Sequence, residues 1–159
     1  MPRLTGRDEV LRRKKRLESA FELIASSESA PELMSHFARY LSVLVAGHIE
    51  QSVKELVTEY ARVRSEAKVQ RYVGSQLKRL QNIDQEKLRK LVESFDPEWW
   101  QKIAGDRPDE LAALDSVTAV RNSVSHGGDS GITLITVRQY FDLTTTLLND
   151  LIKLFDPPC

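Results

Sequence analysis

Apolar residues recur at helical spacing along most of the chain, and no segment shows the alternation of apolar and polar residues that predicts a strand. Pro31 and Pro108 suit the first turns of helices, because the amide that proline lacks would have no partner there. Gly127 and Gly128 form a strong C-terminal stop. The pattern predicts helices over about residues 7–26, 31–66, 69–80, 85–95, 97–103, 108–126 and 136–155.

No repeat, low-complexity segment or long linker divides these helices. We therefore expect an all-α helical bundle that forms a single domain over residues 1–159. Gly47 lies inside the second predicted helix, where it indicates either close packing of another helix or a kink. The adjacent Trp99 and Trp100 are more typical of a packing anchor than of a base-stacking platform. Gly105 is expected to end the short helix that contains them.

The composition is typical of a soluble globular protein, with 41% apolar and 29% charged residues among 159. The 23 basic residues equal the 23 acidic ones, which argues against nonspecific coating of nucleic acid but leaves room for a small basic pocket. Cys159 is the only cysteine, so no internal disulfide is possible and a reducing compartment fits best. Without a visible signal peptide or membrane-spanning stretch, we expect a cytoplasmic protein without a membrane partner.

The helix predicted over residues 108–126 has two distinct sides. One carries an apolar stripe that should face the core, and the other carries a polar stripe with spacings of three, four and four residues. Arg121 and Ser125 lie beside the polar stripe, so side chains able to do chemistry collect at the end of this helix. The apolar stripe contains Ala113, Val117, Val120 and Val124, and the polar stripe contains Asp115, Thr118, Asn122 and His126.

Arg121, Asn122 and His126 could together act on a phosphate. His126 lies in the last turn, where the helix dipole favours a protonated imidazole, and Asn122 could orient its ring. The guanidinium of Arg121 suits a phosphate. Arg121 and His126 point about 140° apart on one ideal helix, so a shared site needs a curled Arg side chain, fraying at Gly127 or a second subunit. By spacing alone, a His at a helix end is more often a cap than a catalyst.

The segment Arg121-Asn122-Ser123-Val124-Ser125-His126-Gly127 resembles the signature of the HEPN superfamily, in which an Arg and a polar residue precede a His. Upstream, Phe37-Ala38-Arg39-Tyr40-Leu41, residues 45–53 and Glu59-Tyr60-Ala61 resemble the long helix of the RiboL-PSP-HEPN branch. The two segments agree with that family in order and separation.

The resemblance implies a metal-independent endoribonuclease of the toxin–antitoxin or phage-defence type. It acts as a homodimer on an RNA substrate, needs no cofactor and can have an antitoxin or defence-complex partner. By position, Arg121 and His126 would be the catalytic pair and Asn122 the polar residue beside them, while Glu50 and Ser125 are possible supporting residues. The alternative is a HEPN domain without catalytic activity that binds RNA, a nucleotide or a partner protein.

These residue types support transesterification, in which His126 would transfer protons at the ribose 2′-hydroxyl or the leaving 5′-oxygen. Arg121 would stabilise the negative charge of the transition state. One motif helix offers a single His, so a two-fold axis would supply the second proton-transferring group.

The other candidate groups are weaker. His36 and His48 are not spaced as metal ligands, and we expect no metal site. A run of five consecutive basic residues, here called the basic run, consists of Arg12, Arg13, Lys14, Lys15 and Arg16. It is either a solvated helix face or a patch that steers RNA to the site.

Overall fold

A computed structural model describes residues 5–27, 30–128 and 131–155. Within these residues the protein consists of seven helices and contains no strand, which confirms the all-α fold class. Asp156-Pro157-Pro158, a sequence that predicts the end of the last helix, and the single Cys159 lie outside the described residues. The helices are α1 (Gly6–Ala25), α2 (Pro31–Arg64), α3 (Ala67–Leu77), α4 (Gln85–Phe95), α5 (Pro97–Asp106), α6 (Pro108–Ser125) and α7 (Leu134–Phe155).

Local sequence explains where most of these helices begin. The side chain of Thr5 accepts a hydrogen bond from the Asp8 amide, and the Asp8 carboxylate accepts one from the Thr5 amide, so the two residues form a capping box at α1. Asp84 and Asp96 cap α4 and α5 with their side chains. Proline occupies the first turn of α2, α5 and α6. Asp84 directly precedes the helix predicted over residues 85–95, a position that is typical of an N-cap.

The long helix α2 is the centre of the bundle and packs against α1, α3, α6 and α7. Its buried stripe meets the buried faces of α6 and α7, so the hydrophobic core is one continuous cluster. The largest side chains that are fully buried include Phe141, Phe155, Leu41, Leu56, Leu88, Leu111, Leu114, Leu147 and Leu151.

The tryptophan pair packs, as its sequence indicated. Trp100 is buried, and Trp99 lies in an aromatic cluster in which its ring centroid is 5.4 Å from that of Phe155. Tyr60 and Phe95 complete this cluster with edge-on ring contacts. These contacts fix α5 against α2 and α7, which agrees with the packing role expected of the tryptophan pair.

Some predicted helix ends are wrong. Gly105 does not end α5, which continues to Asp106. The third helix was placed at residues 69–80, but α3 ends at Leu77 because the Arg79 and Leu80 amides bond to carbonyls three residues back. The last helix begins at Leu134, slightly earlier than expected. Only the start of α7 lies within the one or two residues by which helix ends commonly differ between assignments.

The structure excludes close packing, one of the two explanations that the sequence left open for Gly47. It lies within the continuous helix α2, and a Cβ built on it would meet no atom within 4 Å. Close packing of a neighbouring helix is therefore not the reason for glycine at this position. The true close approach is at Gly6, where a Cβ would lie 2.9 Å from the Glu55 carbonyl oxygen, so α1 and α2 nearly touch there.

Candidate functional site

The C-terminal end of α6 is fixed by a Schellman motif. The Gly128 amide donates to the Ser123 carbonyl at 2.8 Å and the Gly127 amide to the Val124 carbonyl at 3.0 Å. Gly127 has a φ of 76°, which favours glycine, and a Cβ on Gly128 would lie 2.7 Å from the Ser123 hydroxyl oxygen. His126 is the C-cap residue of this motif. The helix end expected at Gly127 is confirmed, and it sets the position of the His126 backbone.

Arg121 is held by a carboxylate from another helix. Its Nη1 donates to Oε2 of Glu50 on α2 at 3.0 Å, and the exposed fractions of the two side chains are 27% and 9%. The Asn82 amide donates to the same Glu50 oxygen at 2.9 Å, and Lys54 donates to the other oxygen at 3.3 Å. Burial alone would raise the pKa of Glu50, but these hydrogen bonds and the charges of Lys54 and Arg121 lower it. Glu50 is therefore ionised at neutral pH, and it orients Arg121.

The first half of the polar stripe on α6 is structural. The Thr118 hydroxyl donates to the Ile83 carbonyl at 2.6 Å, and the Asp115 carboxylate accepts from the Gln85 amide at 2.8 Å and from its side chain at 2.9 Å. These bonds connect α6 to the segment that leads into α4. Asp115 and Thr118 are thus engaged in packing, and only the last turn of the stripe remains available for chemistry.

The expected apolar stripe of α6 is buried only in its first part. Ala113 and Val117 are buried, whereas Val120 and Val124 are half-buried. The prediction that all four face the core is therefore wrong at the C-terminal end, where the helix projects beyond the elements that cover it.

Asn122, Ser125 and His126 are exposed at this projecting end. Among the described residues, no hydrogen bond joins the Asn122 side chain to the His126 ring, so the orienting contact expected between them is not present within one chain. Arg121 lines a groove between α1 and α2, whereas Asn122 lines a different groove beside α4 and α5. Arg121 and Asn122 thus point in different directions from one helix end, as expected for adjacent residues of a helix.

The groove between α1 and α2 has a volume of about 410 Å³ and is open to solvent. Charged and polar side chains on three helices line it, together with an apolar wall. The lining residues are Arg13, Arg16, Leu17, Ala20, Val43, Leu44, Gly47, His48, Gln51 and Arg121.

The basic run divides into two groups in the structure. Arg12 pairs with Glu9 at 2.8 Å and Lys14 with Glu18 at 3.4 Å, and Lys15 is exposed. These three residues belong to a solvated helix face, which is one of the two alternatives open from sequence. Arg13 and Arg16, by contrast, line the groove that also contains Arg121.

His48 is a candidate that the sequence reasoning missed. It is buried on α2, its Nδ1 lies 3.3 Å from the Ser52 hydroxyl, and its Nε2 is buried without a hydrogen-bond partner. Burial, with the nearby charges of Arg13 and Lys14, lowers the pKa of His48 to about 4. Its spacing from Leu41, Val45 and Ser52 was a sequence signal of burial, because these residues share one helix face.

In the described residues, seven helices, of which the long α2 is central, form an all-helical bundle with an Arg-x₄-His segment at the exposed end of α6. A family model described as RiboL-PSP-HEPN matches residues 8–156, and the chain belongs to this family. HEPN domains include RNases and nucleotide-binding domains. Searches of curated proteins and of solved structures gave no significant match.

Two features are absent from the described residues. No helix in this part of the chain is both long and apolar enough to cross a membrane. In the same residues, no group of three or more His, Cys, Asp or Glu side chains is arranged to hold a metal ion.

Proposed function

We propose that the protein is a metal-independent endoribonuclease that acts as a homodimer through the end of α6. The observation that carries this proposal is the arrangement of Arg121 and His126 in a chain of the RiboL-PSP-HEPN family. Glu50 fixes the guanidinium at the edge of a groove, and the Schellman motif presents His126 on the exposed end of the same helix. Both residues are thus available to a substrate and to a second subunit.

The chemistry would be an attack of the ribose 2′-oxygen on the adjacent phosphorus. One His126 imidazole would accept the 2′-hydroxyl proton, while a protonated imidazole would give its proton to the 5′-oxygen as the P–O bond breaks. Arg121 would stabilise the additional negative charge on the phosphate oxygens. The products would be a 2′,3′-cyclic phosphate and a 5′-hydroxyl, and DNA would not react because it lacks the nucleophile.

A second subunit would complete this site. One chain supplies a single motif His, and Arg121 and His126 diverge by about 140° on their helix. A two-fold axis beside the exposed end of α6 would bring two copies of both residues around one phosphate. Asn122 and Ser125, which are exposed at the same end, would contact the RNA or the partner subunit.

The test is incubation of the purified protein with total RNA in EDTA. We expect cleavage products that end in a 2′,3′-cyclic phosphate, and losses of about 100-fold or more in rate for Arg121→Ala and for His126→Ala. His36→Ala is the matched control, because His36 is an exposed histidine on α2 away from the motif. Full activity of the Arg121 and His126 variants would contradict the site assignment.

The second candidate function is binding without cleavage of RNA, a nucleotide or a partner protein. The ion pair between Arg121 and Glu50 favours it, because a guanidinium that is already neutralised has less positive potential for a transition state. If the wild type and His126→Ala both bind RNA and neither cleaves it, this second function is supported.

A role as a toxin or in phage defence is tested in cells. If the protein is such a nuclease, its expression should inhibit growth, and Arg121→Ala should relieve the inhibition at an equal level of protein. Growth inhibition that persists in both Arg121→Ala and His126→Ala would contradict a toxic role for RNA cleavage at this site.

A further inference from the structure

We propose that the groove between α1 and α2 is a subsite for one nucleotide of a single-stranded RNA, adjacent to the phosphate held at Arg121. This inference rests on the proposed function for its substrate, but the binding site itself is independent of catalysis. The occupant is defined by the two kinds of surface that the groove combines, which are arginine side chains and an apolar wall.

Two of the three arginines that line the groove have no salt-bridge partner among the described residues, whereas Arg121 is paired with Glu50. In the described part of the chain, neither Arg13 nor Arg16 forms a salt bridge, and the Nε of Arg13 is buried without a hydrogen-bond partner. Their neighbours Arg12 and Lys14 on the same helix are both paired with glutamates. A buried donor without an acceptor costs free energy, so an anion entering this groove would satisfy groups that the fold leaves unsatisfied.

The apolar wall indicates an organic ligand rather than a free inorganic ion. Leu17, Ala20, Val43 and Leu44 form this wall, and Leu44 is one of the large apolar residues that remain exposed. A nucleobase and its ribose can cover such a surface while the attached phosphates reach the guanidinium groups.

Two further groups offer hydrogen bonds within the groove. The Nε2 of His48 is buried and has no partner, and Gln51 lies on the next turn of α2 in the lining. A neutral imidazole nitrogen and an amide side chain can each pair with the polar edge of a base or with a ribose hydroxyl. The groove therefore offers charge, apolar surface and hydrogen bonds in one place.

Gly47 leaves part of the groove open because it has no side chain. It lines the groove, and a Cβ on it would meet no atom within 4 Å. Glycine inside a helix costs roughly 1 kcal/mol relative to alanine, and the fold gives no packing reason for it. An open surface for a ligand provides a reason.

The site is tested with a fluorescein-labelled 2′-deoxyoligouridine of about ten nucleotides, which cannot be cleaved by the proposed chemistry but carries the phosphates that bind. Its Kd is measured by fluorescence anisotropy over a range of NaCl concentrations. Two variants alter the groove in different ways: Gly47→Leu fills it, and Arg13→Ala with Arg16→Ala removes its free cations.

Each groove variant has a matched control. Gly74→Leu adds the same side chain at another helical glycine where a Cβ would meet no atom within 4 Å. Lys78→Ala with Arg79→Ala removes the same charge from exposed positions outside the groove. Thermal unfolding of every variant shows whether its fold is retained. If Gly47→Leu does not fold, the subsite is tested by comparing the Arg double variant with its own control.

We expect both groove variants to bind the oligonucleotide at least about tenfold more weakly than their controls in low salt. The slope of log K against log salt should fall by about 1.4 in the Arg double variant, since each phosphate contact to a single strand contributes roughly 0.7. Groove variants that bind like their controls, or a wild type that does not bind the oligonucleotide, would overturn the subsite.

The outcomes separate this inference from the proposed function. If the wild type cleaves RNA and the groove variants bind the oligonucleotide like their controls, the proposed subsite is wrong and the proposed nuclease is supported. If the wild type cleaves no RNA but the groove variants bind the oligonucleotide more weakly than their controls, the subsite is supported and the proposed nuclease is wrong.

Discussion

Two buried polar residues on α2 have opposite electrostatic surroundings. Glu50 accepts hydrogen bonds from the Asn82 amide, Arg121 and Lys54, so its negative charge is well compensated. His48, two residues earlier, has Arg13 and Lys14 as neighbours, and no carboxylate contributes to its pKa. A buried ionisable group keeps its charge only when partners compensate for lost hydration. Glu50 therefore remains charged at neutral pH, and His48 remains neutral.

The state of His48 predicts a pH dependence of stability. Its pKa is about 4 in the folded protein and about 6.5 in an unfolded chain. Between these values the unfolded state binds the proton and the folded state does not, so the free energy of unfolding decreases as pH falls. We expect His48→Gln to lose this contribution, which is about 2 kcal/mol between pH 7 and pH 5. Urea denaturation at both pH values measures it.

The matched control for this experiment is His36→Gln, because His36 is exposed on the same helix. Its stability should depend on pH as that of the wild type does. An identical pH dependence for His48→Gln and the wild type would show that His48 is protonated equally in both states.

At the scale of the element, two glycines stabilise the turn at the end of α6, each in a different way. Gly127 provides the positive φ of the Schellman motif, and Gly128 leaves room for Ser123. The ring of His126 has no hydrogen-bond partner among the described residues, so the backbone geometry alone determines where it is presented. A change in this turn should therefore affect the site without any change in the motif residues.

We expect Gly127→Ala to lower the free energy of unfolding by about 1 kcal/mol, because a Cβ in the left-handed region is sterically strained. Its rate of RNA cleavage should fall more than this loss of stability explains, since His126 would be displaced. Gly105→Ala is the control, as Gly105 lies in an exposed helical turn where a Cβ meets nothing within 4 Å. Urea denaturation and cleavage assays that fail to distinguish the two variants would contradict the role of the turn.

The helices themselves could be predicted from sequence because their signals are local. Apolar spacing, the prolines at positions 31, 97 and 108, and the cap at Asp84 all act within a few residues of the ends that they determine. The end of α6 at Gly127 was predictable for the same reason. The early end of α3 was not, because the turn that follows is selected by a distant contact between Asn82 and Glu50.

The candidate site could be predicted only in part, since its long-range contacts are not local signals. The motif identified Arg121 and His126, and the family resemblance indicated Glu50 as a supporting residue. No spacing shows that Arg121 meets Glu50, which lies 71 residues away. Nor does the sequence show that Arg13 and Arg16 face a groove while Arg12 faces solvent, because this depends on how α1 lies on α2.

At the scale of the whole molecule, the proposed site requires a second chain. Within one subunit Arg121 and Asn122 line different grooves and His126 lines neither. In the proposed dimer, the ends of two α6 helices would bring these separate functional groups around one phosphate. A protein with zero formal net charge does not oppose such an association by overall repulsion.

Mixing the wild type with one inactive variant tests the assembly. Wild-type and His126→Ala chains, coexpressed with different affinity tags and purified through both tags, should form mixed dimers that keep both Arg121 side chains but only one His126. Because the proposed chemistry uses two imidazoles at one phosphate, we expect these dimers to cleave RNA about 100-fold more slowly than the wild type. Mixed dimers that retain about half of the wild-type rate would contradict a site shared between subunits.

Gly47 has a consequence for how relatives of this protein can diverge. A Cβ at this position would meet no atom within 4 Å, so an alanine fits here, and a larger residue would extend into the groove that Gly47 lines. A homologue with a bulky residue at the equivalent site should keep the same bundle while its groove is closed. The residue at this one position should therefore distinguish homologues that retain the open groove from homologues in which a side chain fills it.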